Sequence, residues 1–185
     1  MGNRSQVVVL DVKYSHTAPV LSGVPQGTVM GPLLFLIYIN DMPKRISQKS
    51  KIRLFADDSL LYRTIDTIED GVELPKDLNK LQEWEKEWRM QFHPQKCQVL
   101  RISNKLNNIV TGYNIHGVNL EVVQHAKYLG VTLDSHLNWK QHIDITSKKA
   151  FLRRNITTGN SKIKEKCYKN FVMPTLEYSC SVWEQ

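Results

Sequence analysis

Cysteine is scarce in this chain: Cys97, Cys167 and Cys180 are odd in number and far apart. No Cys-x-x-Cys pair occurs, so neither a disulfide framework nor a zinc site is indicated, and reduced, intracellular thiols are the expectation. Long apolar runs are missing too. The longest, residues 32–39, falls far short of the roughly 20 residues that span a bilayer. Nothing apolar follows Met1-Gly2-Asn3-Arg4-Ser5 to make a signal region. Repeats and low-complexity tracts are absent. Membrane-spanning, disulfide-scaffold and solenoid classes are thereby excluded, and no membrane partner is expected.

The 185 residues are 41% hydrophobic and 23% charged, enough for a buried core and typical of a globular chain. The formal net charge of +7 is unevenly placed. Residues 140–169 hold nine Lys/Arg against two acids, Asp144 and Glu165, while the remainder carries sixteen of each sign. A basic segment beside a neutral body suits a polyanion such as nucleic acid, although a solvated helix face would look the same.

The pattern along the chain mixes strands and helices. Residues 6–11 are a β-branched apolar run that predicts a strand, followed by a turn and a second strand near residues 18–21. Ser22-Gly23-Val24-Pro25-Gln26-Gly27 is a Gly/Pro loop. Gly31-Pro32 opens a helix in which Leu33, Leu34, Leu36, Ile37 and Ile39 are apolar nearly all round, so burial is expected. Ile52 and Leu54, then Leu60, Leu61 and Tyr62, flank Ala56-Asp57-Asp58-Ser59 as a hairpin with the acidic pair at its turn. Leu78, Leu81, Trp84 and Trp88 recur at helical spacing, predicting an amphipathic helix over about 74–90. The two tryptophans read as core rather than as base-stacking platforms. Residues 97–102 predict a strand, and 118–123 with 127–133 a further hairpin. From about residue 139 two basic helices are expected, broken near Gly159 and ended near Pro174. The class is α+β.

Adjacent carboxylates at a tight turn are physically odd. Like charges repel, and such a turn is better served by Asp-Gly or Asn-Gly. A divalent cation would offset the repulsion, and hard oxygen donors favour Mg²⁺, with Mn²⁺ an alternative. A plain solvated Asp-Asp turn is the competing reading of the pair taken alone.

Its company decides otherwise. Phe55-Ala56-Asp57-Asp58 lies behind Ser22-Gly23-Val24-Pro25-Gln26-Gly27 and ahead of His93-Pro94-Gln95-Lys96-Cys97 and Tyr128-Leu129-Gly130-Val131. In that order and spacing the set resembles the palm of reverse transcriptases from non-LTR, LINE-type retrotransposons, especially the jockey-like ones. The resemblance implies an antiparallel palm sheet with packed helices over residues 1–134, followed by a helical, basic thumb over 135–185. It implies an RNA-directed DNA polymerase using two Mg²⁺ ions, with RNA template, DNA primer and dNTP as partners.

Residue by residue, the resemblance makes Asp57 and Asp58 metal ligands. Pro25, Gln26 and Gly27 match the loop that meets the incoming nucleotide and template base. Lys96 matches the lysine that serves the pyrophosphate leaving group, and His93 stands where the family often has Asn. Tyr128, Leu129 and Gly130 match the hairpin that grips the primer end. Lys148, Lys149, Arg153 and Arg154 fall where a thumb contacts phosphates without reading sequence, although that stretch looks shortened between Ala150 and Phe151.

A third catalytic aspartate belongs upstream of the nucleotide loop. Asp11 is only eleven residues before Ser22, where the family places a long helical segment, and reads as a turn residue. The aspartate, the fingers and any endonuclease would precede Met1. The chain alone is therefore expected to be inactive, and a non-catalytic nucleic-acid-binding remnant is the alternative. By analogy with elements that copy themselves at chromosomal DNA, it would act in the nucleus.

Overall fold

A computed structural model describes residues 4–25, 27–105, 109–154 and 160–183, with the side chains of Arg153 and Arg154 outside that set. Two compact units result. One comprises residues 1–97 with 109–120, the other residues 98–108 with 121–185.

The first unit opens with four short strands, β1 (Arg4–Gln6), β2 (Val9–Leu10), β3 (Lys13–Tyr14) and β4 (Ala18–Val20). β1 runs antiparallel to β4 with Arg4 opposite Val20, and β2 pairs with β3 inside that frame. The strand expected over 6–11 is thus broken in two. Asp11 and Val12 both take positive φ, 45° and 67°, the pattern of a tight two-residue hairpin turn. Val8 exchanges hydrogen bonds with Ser15, through its carbonyl to the Ser15 N–H and its own N–H to the Ser15 hydroxyl, each at 2.9 Å. Asp11 is a turn residue, as its distance from the loop suggested.

Helix α1 (Gly31–Ile39) begins with Pro32 in its first turn. Its expected burial is not met. Only Gly31 and Ile39 are buried, while Leu33, Leu36 and Ile37 are 50%, 52% and 65% exposed. One side of the helix faces the unit's core, and nothing among the described residues covers the other. A 3-10 turn, Met42–Arg45, leads to β5 (Lys51–Phe55) and β6 (Asp58–Tyr62), which pair antiparallel from Lys51 opposite Tyr62 to Phe55 opposite Asp58.

Helix α2 (Ile68–Trp88) is the spine of the unit and starts well before the residue 74 expected from apolar spacing. Thr67 and Asp70 explain the earlier start. The Thr67 hydroxyl accepts the Asp70 N–H while the Asp70 carboxylate accepts the Thr67 N–H, a capping box at the observed start, and Pro75 lies inside the helix. Gly71, Asp77, Leu81, Trp84 and Glu85 line its buried face. The core gathers Ile39, Met42, Leu81 and Trp84, with Tyr38, Ile52, Leu61 and Trp88 packed around them. Trp84 is fully buried, so the core reading of that residue holds.

Beside this apolar core lies a polar one. The Arg63 guanidinium, 4% exposed, donates to Asp70 at 2.8 Å and to the Ser47 hydroxyl at 3.0 Å. Asp77 accepts the Ser47 N–H at 2.9 Å and its hydroxyl at 2.7 Å. Burial pushes the Asp77 carboxyl up, but hydrogen bonds from Ser50, Ser47 and Lys80 outweigh it and hold the group below its ordinary value.

In the second unit β7 (Gln98–Leu100) continues the expected strand. The hairpin expected from 118–123 and 127–133 does not form. Instead β8 (Asn114–Ile115) pairs with β9 (Val118–Asn119) in the first unit, across a turn of His116 and Gly117. In the second, β10 (Glu121–Val123) runs parallel to β7, and β11 (His125–Tyr128) pairs antiparallel with β12 (Val131–Asp134). Two turns with consecutive positive φ, at His116-Gly117 and at Leu129-Gly130, divide the region into shorter pairs than apolar alternation alone suggests.

Helix α3 (Lys140–Arg154) follows, then α4 (Ser161–Cys167), a π-helical stretch Tyr168–Val172, α5 (Met173–Glu177) and α6 (Cys180–Trp183). Gly159, the expected break, lies outside the described residues. Pro174 does not end a helix; the helical run continues from the π-helical stretch into α5, the Met173 N–H bonding back to the Tyr168 carbonyl and Pro174 following it in the first turn of α5. Among the described residues the strands pair two by two, five sheets antiparallel and one parallel. The α+β class is met as small sheets mixed with helices.

Candidate functional site

The acidic pair lies where the apolar flanks predict. Phe55 opposite Asp58 closes the β5–β6 ladder, leaving Ala56 and Asp57 as the two turn residues. Asp58 is therefore the first residue of β6, one step beyond the turn itself. Of the two turn residues only Ala56 takes positive φ, 50°. That position in a tight hairpin favours glycine, so the backbone beside the carboxylates is strained. Asp57 and Asp58 are both exposed, and among the described residues no ion pair or hydrogen bond engages either side chain. Nor do the described residues contain a cluster of three His, Cys, Asp or Glu that could hold a metal ion. The local chemistry is two hard oxygen donors on consecutive residues, without a protein cation beside them.

The Gly/Pro loop is tied from both ends. Arg4 donates to the Gly23 carbonyl at 2.6 Å, and the Thr28 hydroxyl donates to the Pro25 carbonyl at 3.3 Å. Gly23 and Gly27 take φ of +80° and +74°. An added Cβ on Gly27 would meet nothing within 4 Å, so the backbone angle, not crowding by this chain, is what calls for glycine there. Gly31 differs. A Cβ there would stand 2.7 Å from the Pro25 carbonyl oxygen. It is the glycine that lets the loop fold back on the start of α1, a role its place before Pro32 did not reveal. Pro25 and Gly27 are exposed, and Gln26 lies outside the described residues.

Lys96 ends a 3-10 turn, Pro94–Lys96, in which its N–H donates to the His93 carbonyl at 2.9 Å. The side chain is exposed. The Cys97 thiol beside it is half-buried and is pushed above its ordinary value, first by burial and then by Glu85. It is poorly disposed to act as a nucleophile. Pro25, Gly27, Asp57, Asp58 and Lys96 all belong to the first unit.

Tyr128, Leu129, Gly130, Lys148 and Lys149 belong to the second. Leu129 and Gly130 form the β11–β12 turn, with φ of 45° and 84°. Tyr128 and Leu129 are half-buried. On α3, His142, Thr146 and Ala150 are buried at four-residue spacing, and Lys148 and Lys149 are exposed. Arg153 and Arg154 lie in the last turn of the same helix. The helix runs unbroken across Ala150 and Phe151. Among the described residues, no helix is long and apolar enough to cross a membrane.

Sequence reasoning overlooked the polar groups that support these elements: Asp41 under the two tryptophans, the Arg63 network, and Glu85. The buried Glu85 carboxylate accepts the Phe92 N–H at 2.5 Å and pairs with His116 at 3.0 Å. Only the spacing of Glu85 on the apolar face of α2 hinted at it.

A sequence profile described as reverse transcriptase (RNA-dependent DNA polymerase) matches residues 5–133. The chain is 30% identical over 193 residues to a probable RNA-directed DNA polymerase from transposon BS of Drosophila melanogaster, covering 93% of this chain and 21% of that protein. It is 32% identical over 179 residues to the RNA-directed DNA polymerase from mobile element jockey of Drosophila funebris, covering 88% and 19%. A probable RNA-directed DNA polymerase from transposon X-element of Drosophila melanogaster is 30% identical over 178 residues, covering 89% and 19%. No solved structure matches. The chain thus spans about a fifth of the length of the curated relatives it matches. These matches bear out the resemblance drawn from the four motifs, and the chain belongs to the reverse transcriptase (RNA-dependent DNA polymerase) family.

Proposed function

We propose that this chain supplies the nucleotidyl-transfer palm, and the beginning of the thumb, of a non-LTR retrotransposon RNA-directed DNA polymerase. The observation that carries the reading is the β5–β6 hairpin end, where Asp57 and Asp58 are exposed and no protein cation engages them. Residues 1–134 are read as palm and 135–185 as thumb. Asp57 and Asp58 would hold a divalent cation, Mg²⁺ or Mn²⁺, which when bound activates a primer 3′-hydroxyl and neutralises charge developing on pyrophosphate. Two exposed carboxylates fit one such ion, which keeps several waters and takes phosphate oxygens besides.

The other residues position substrate around that pair. Pro25, Gln26 and Gly27 meet the nucleotide and the template base through a loop whose backbone is free to approach. Lys96 offers a proton or a charge to the leaving group. Tyr128, Leu129 and Gly130 seat the primer end, and Lys148, Lys149, Arg153 and Arg154 hold phosphates. RNA template, DNA primer and dNTP are the partners, and chromosomal DNA in the nucleus is the place of action. Because the third aspartate of the family has no counterpart near Asp11, the 185 residues alone are expected to extend no primer.

The test separates metal from nucleic acid. Mn²⁺ binding followed by electron paramagnetic resonance is expected to weaken in Asp57→Asn, while affinity for an RNA–DNA duplex is retained. That affinity should fall steeply as salt rises, as phosphate contacts require. Equal Mn²⁺ binding by the chain and by the doubly substituted Asp57→Asn/Asp58→Asn variant would sink the reading.

A further inference from the structure

The tip of the β11–β12 hairpin is clasped by the C-terminal segment. Tyr178, just after α5, donates its hydroxyl to the Leu129 carbonyl at 2.8 Å. The edge of the same ring lies against Gly130, so closely that a Cβ there would stand 2.9 Å from Cε1. Glycine is thus demanded twice at this position, once by a φ of +84° and once by the ring.

Tyr178 is itself held. Ser179 turns the chain with a φ of 55°, and the Trp183 indole N–H donates to the Tyr178 carbonyl at 3.0 Å. Trp183 packs edge-on against His142 of α3, ring centres 5.6 Å apart, and the His142 Nδ1 accepts the Thr132 N–H at 3.2 Å. Contacts therefore run from the hairpin tip through Tyr178, Trp183 and His142 back to the hairpin's second strand. Each of the two turn residues is touched by one side chain from a segment nearly fifty positions away.

We propose that Tyr178 is a positioning residue for the primer terminus. Its hydroxyl and ring set the direction in which Leu129 and Gly130 present their backbone, and Trp183 keeps Tyr178 in place. The proposal rests on the reading of the Tyr128-Leu129-Gly130 hairpin as the primer-gripping element. A two-residue turn alone leaves the tip free to rock about its strands. A hydrogen bond at the first turn residue and a ring against the second remove that freedom.

The experiment uses the 185-residue chain with an RNA-template, DNA-primer duplex carrying a photoreactive thymidine analogue at the primer 3′ end. Crosslinked peptides are identified by mass spectrometry. The unmodified chain is expected to crosslink within the peptide containing Tyr128, Leu129 and Gly130. Tyr178→Phe keeps the ring but removes the hydroxyl, and should lower that yield by about three- to tenfold, the range expected for one lost hydrogen bond. Tyr178→Ala should scatter the crosslinks to other peptides. Amide hydrogen exchange at Gly130 and Val131 should rise in both variants while that of α3 stays unchanged, a pattern that general unfolding would not produce. If the hairpin crosslinks and both variants match the unmodified chain in yield and position, the positioning role is wrong and the primer-grip reading stands. Crosslinks from the unmodified chain that fall wholly outside the hairpin overturn the primer-grip reading, and the role of Tyr178 with it.

Discussion

The indole N–H of Trp84 ends on the carboxylate of Asp41 at 2.7 Å, so the largest buried ring of the first unit is anchored by a charge. Asp41 also takes the Trp88 N–H at 3.1 Å on its other oxygen. One carboxylate thereby fixes two indoles on successive turns of α2. Trp84→Ala should cost about 3–5 kcal/mol, the range for removing a large buried aromatic. Trp84→Phe keeps most of the ring and loses the hydrogen bond, for about 1–2 kcal/mol. Urea denaturation followed by fluorescence of the remaining tryptophans, Trp88, Trp139 and Trp183, distinguishes the two. A phenylalanine variant as stable as the unmodified chain would contradict the anchoring role.

Arg63 beside Asp70 holds that carboxyl down at about 2. A carboxyl depressed on folding contributes stability that is present above its unfolded value and lost as pH falls through its folded one. The window here runs from the ordinary 3.8 down to about 2. Thermal midpoints measured between pH 5 and pH 2 should fall with a slope that Asp70→Asn reduces, the remainder belonging to other depressed carboxyls such as Asp77. Asp70→Asn should also lower the midpoint at neutral pH, because the capping box loses its charged partner.

His142 titrates in a separate window. Burial, and secondarily the charge of Lys149, lowers its value from the ordinary 6.5. Its Nδ1 accepts the Thr132 N–H, so protonation would set one N–H against another. The folded chain thus resists a proton that the unfolded chain accepts, and stability should decline as pH falls below about 6.5. His142→Gln retains an acceptor and has no charge to gain. It should flatten the dependence of the thermal midpoint between pH 7 and pH 5.5, and an unaltered slope would show that another group is responsible.

Ala56 at a φ of 50° carries strain that glycine would not. Ala56→Gly should stabilise the hairpin by up to about 1 kcal/mol, reduced by the extra freedom glycine brings to the unfolded chain. Chemical denaturation measures it directly. If the strain serves the orientation of Asp57, the same variant should also weaken Mn²⁺ binding, and stabilisation with intact binding would separate the two.

Patterning of side chains made some of this legible and left the rest hidden. Alternating Ile52 and Leu54 against Leu60 and Leu61 marked the β5–β6 hairpin, because a half-buried ladder writes its period into the sequence. Trp84 was placed in the core for the same reason. The start of α2 was missed because it lies at a cap made by Thr67 and Asp70, and caps carry no apolar periodicity. The pairing of β10 with β7 was invisible because parallel partners need no sequence adjacency. Networks such as Arg63 with Ser47 and Asp70 depend on where elements meet in space, and spacing along one strand or helix does not record it. The four motifs were enough for the family. The clasp of Tyr178 on Leu129 was not, since nothing in a lone tyrosine reports a partner so far away.

The exposed side of α1 has a consequence for the protein's life in solution. Leu33, Leu36 and Ile37 present an apolar ridge to water on a helix that lacks a polar face. Contiguous apolar surface of this kind is what drives association. Self-association of the 185-residue chain should therefore grow with its concentration, and polar residues in place of Leu36 and Ile37 should suppress it.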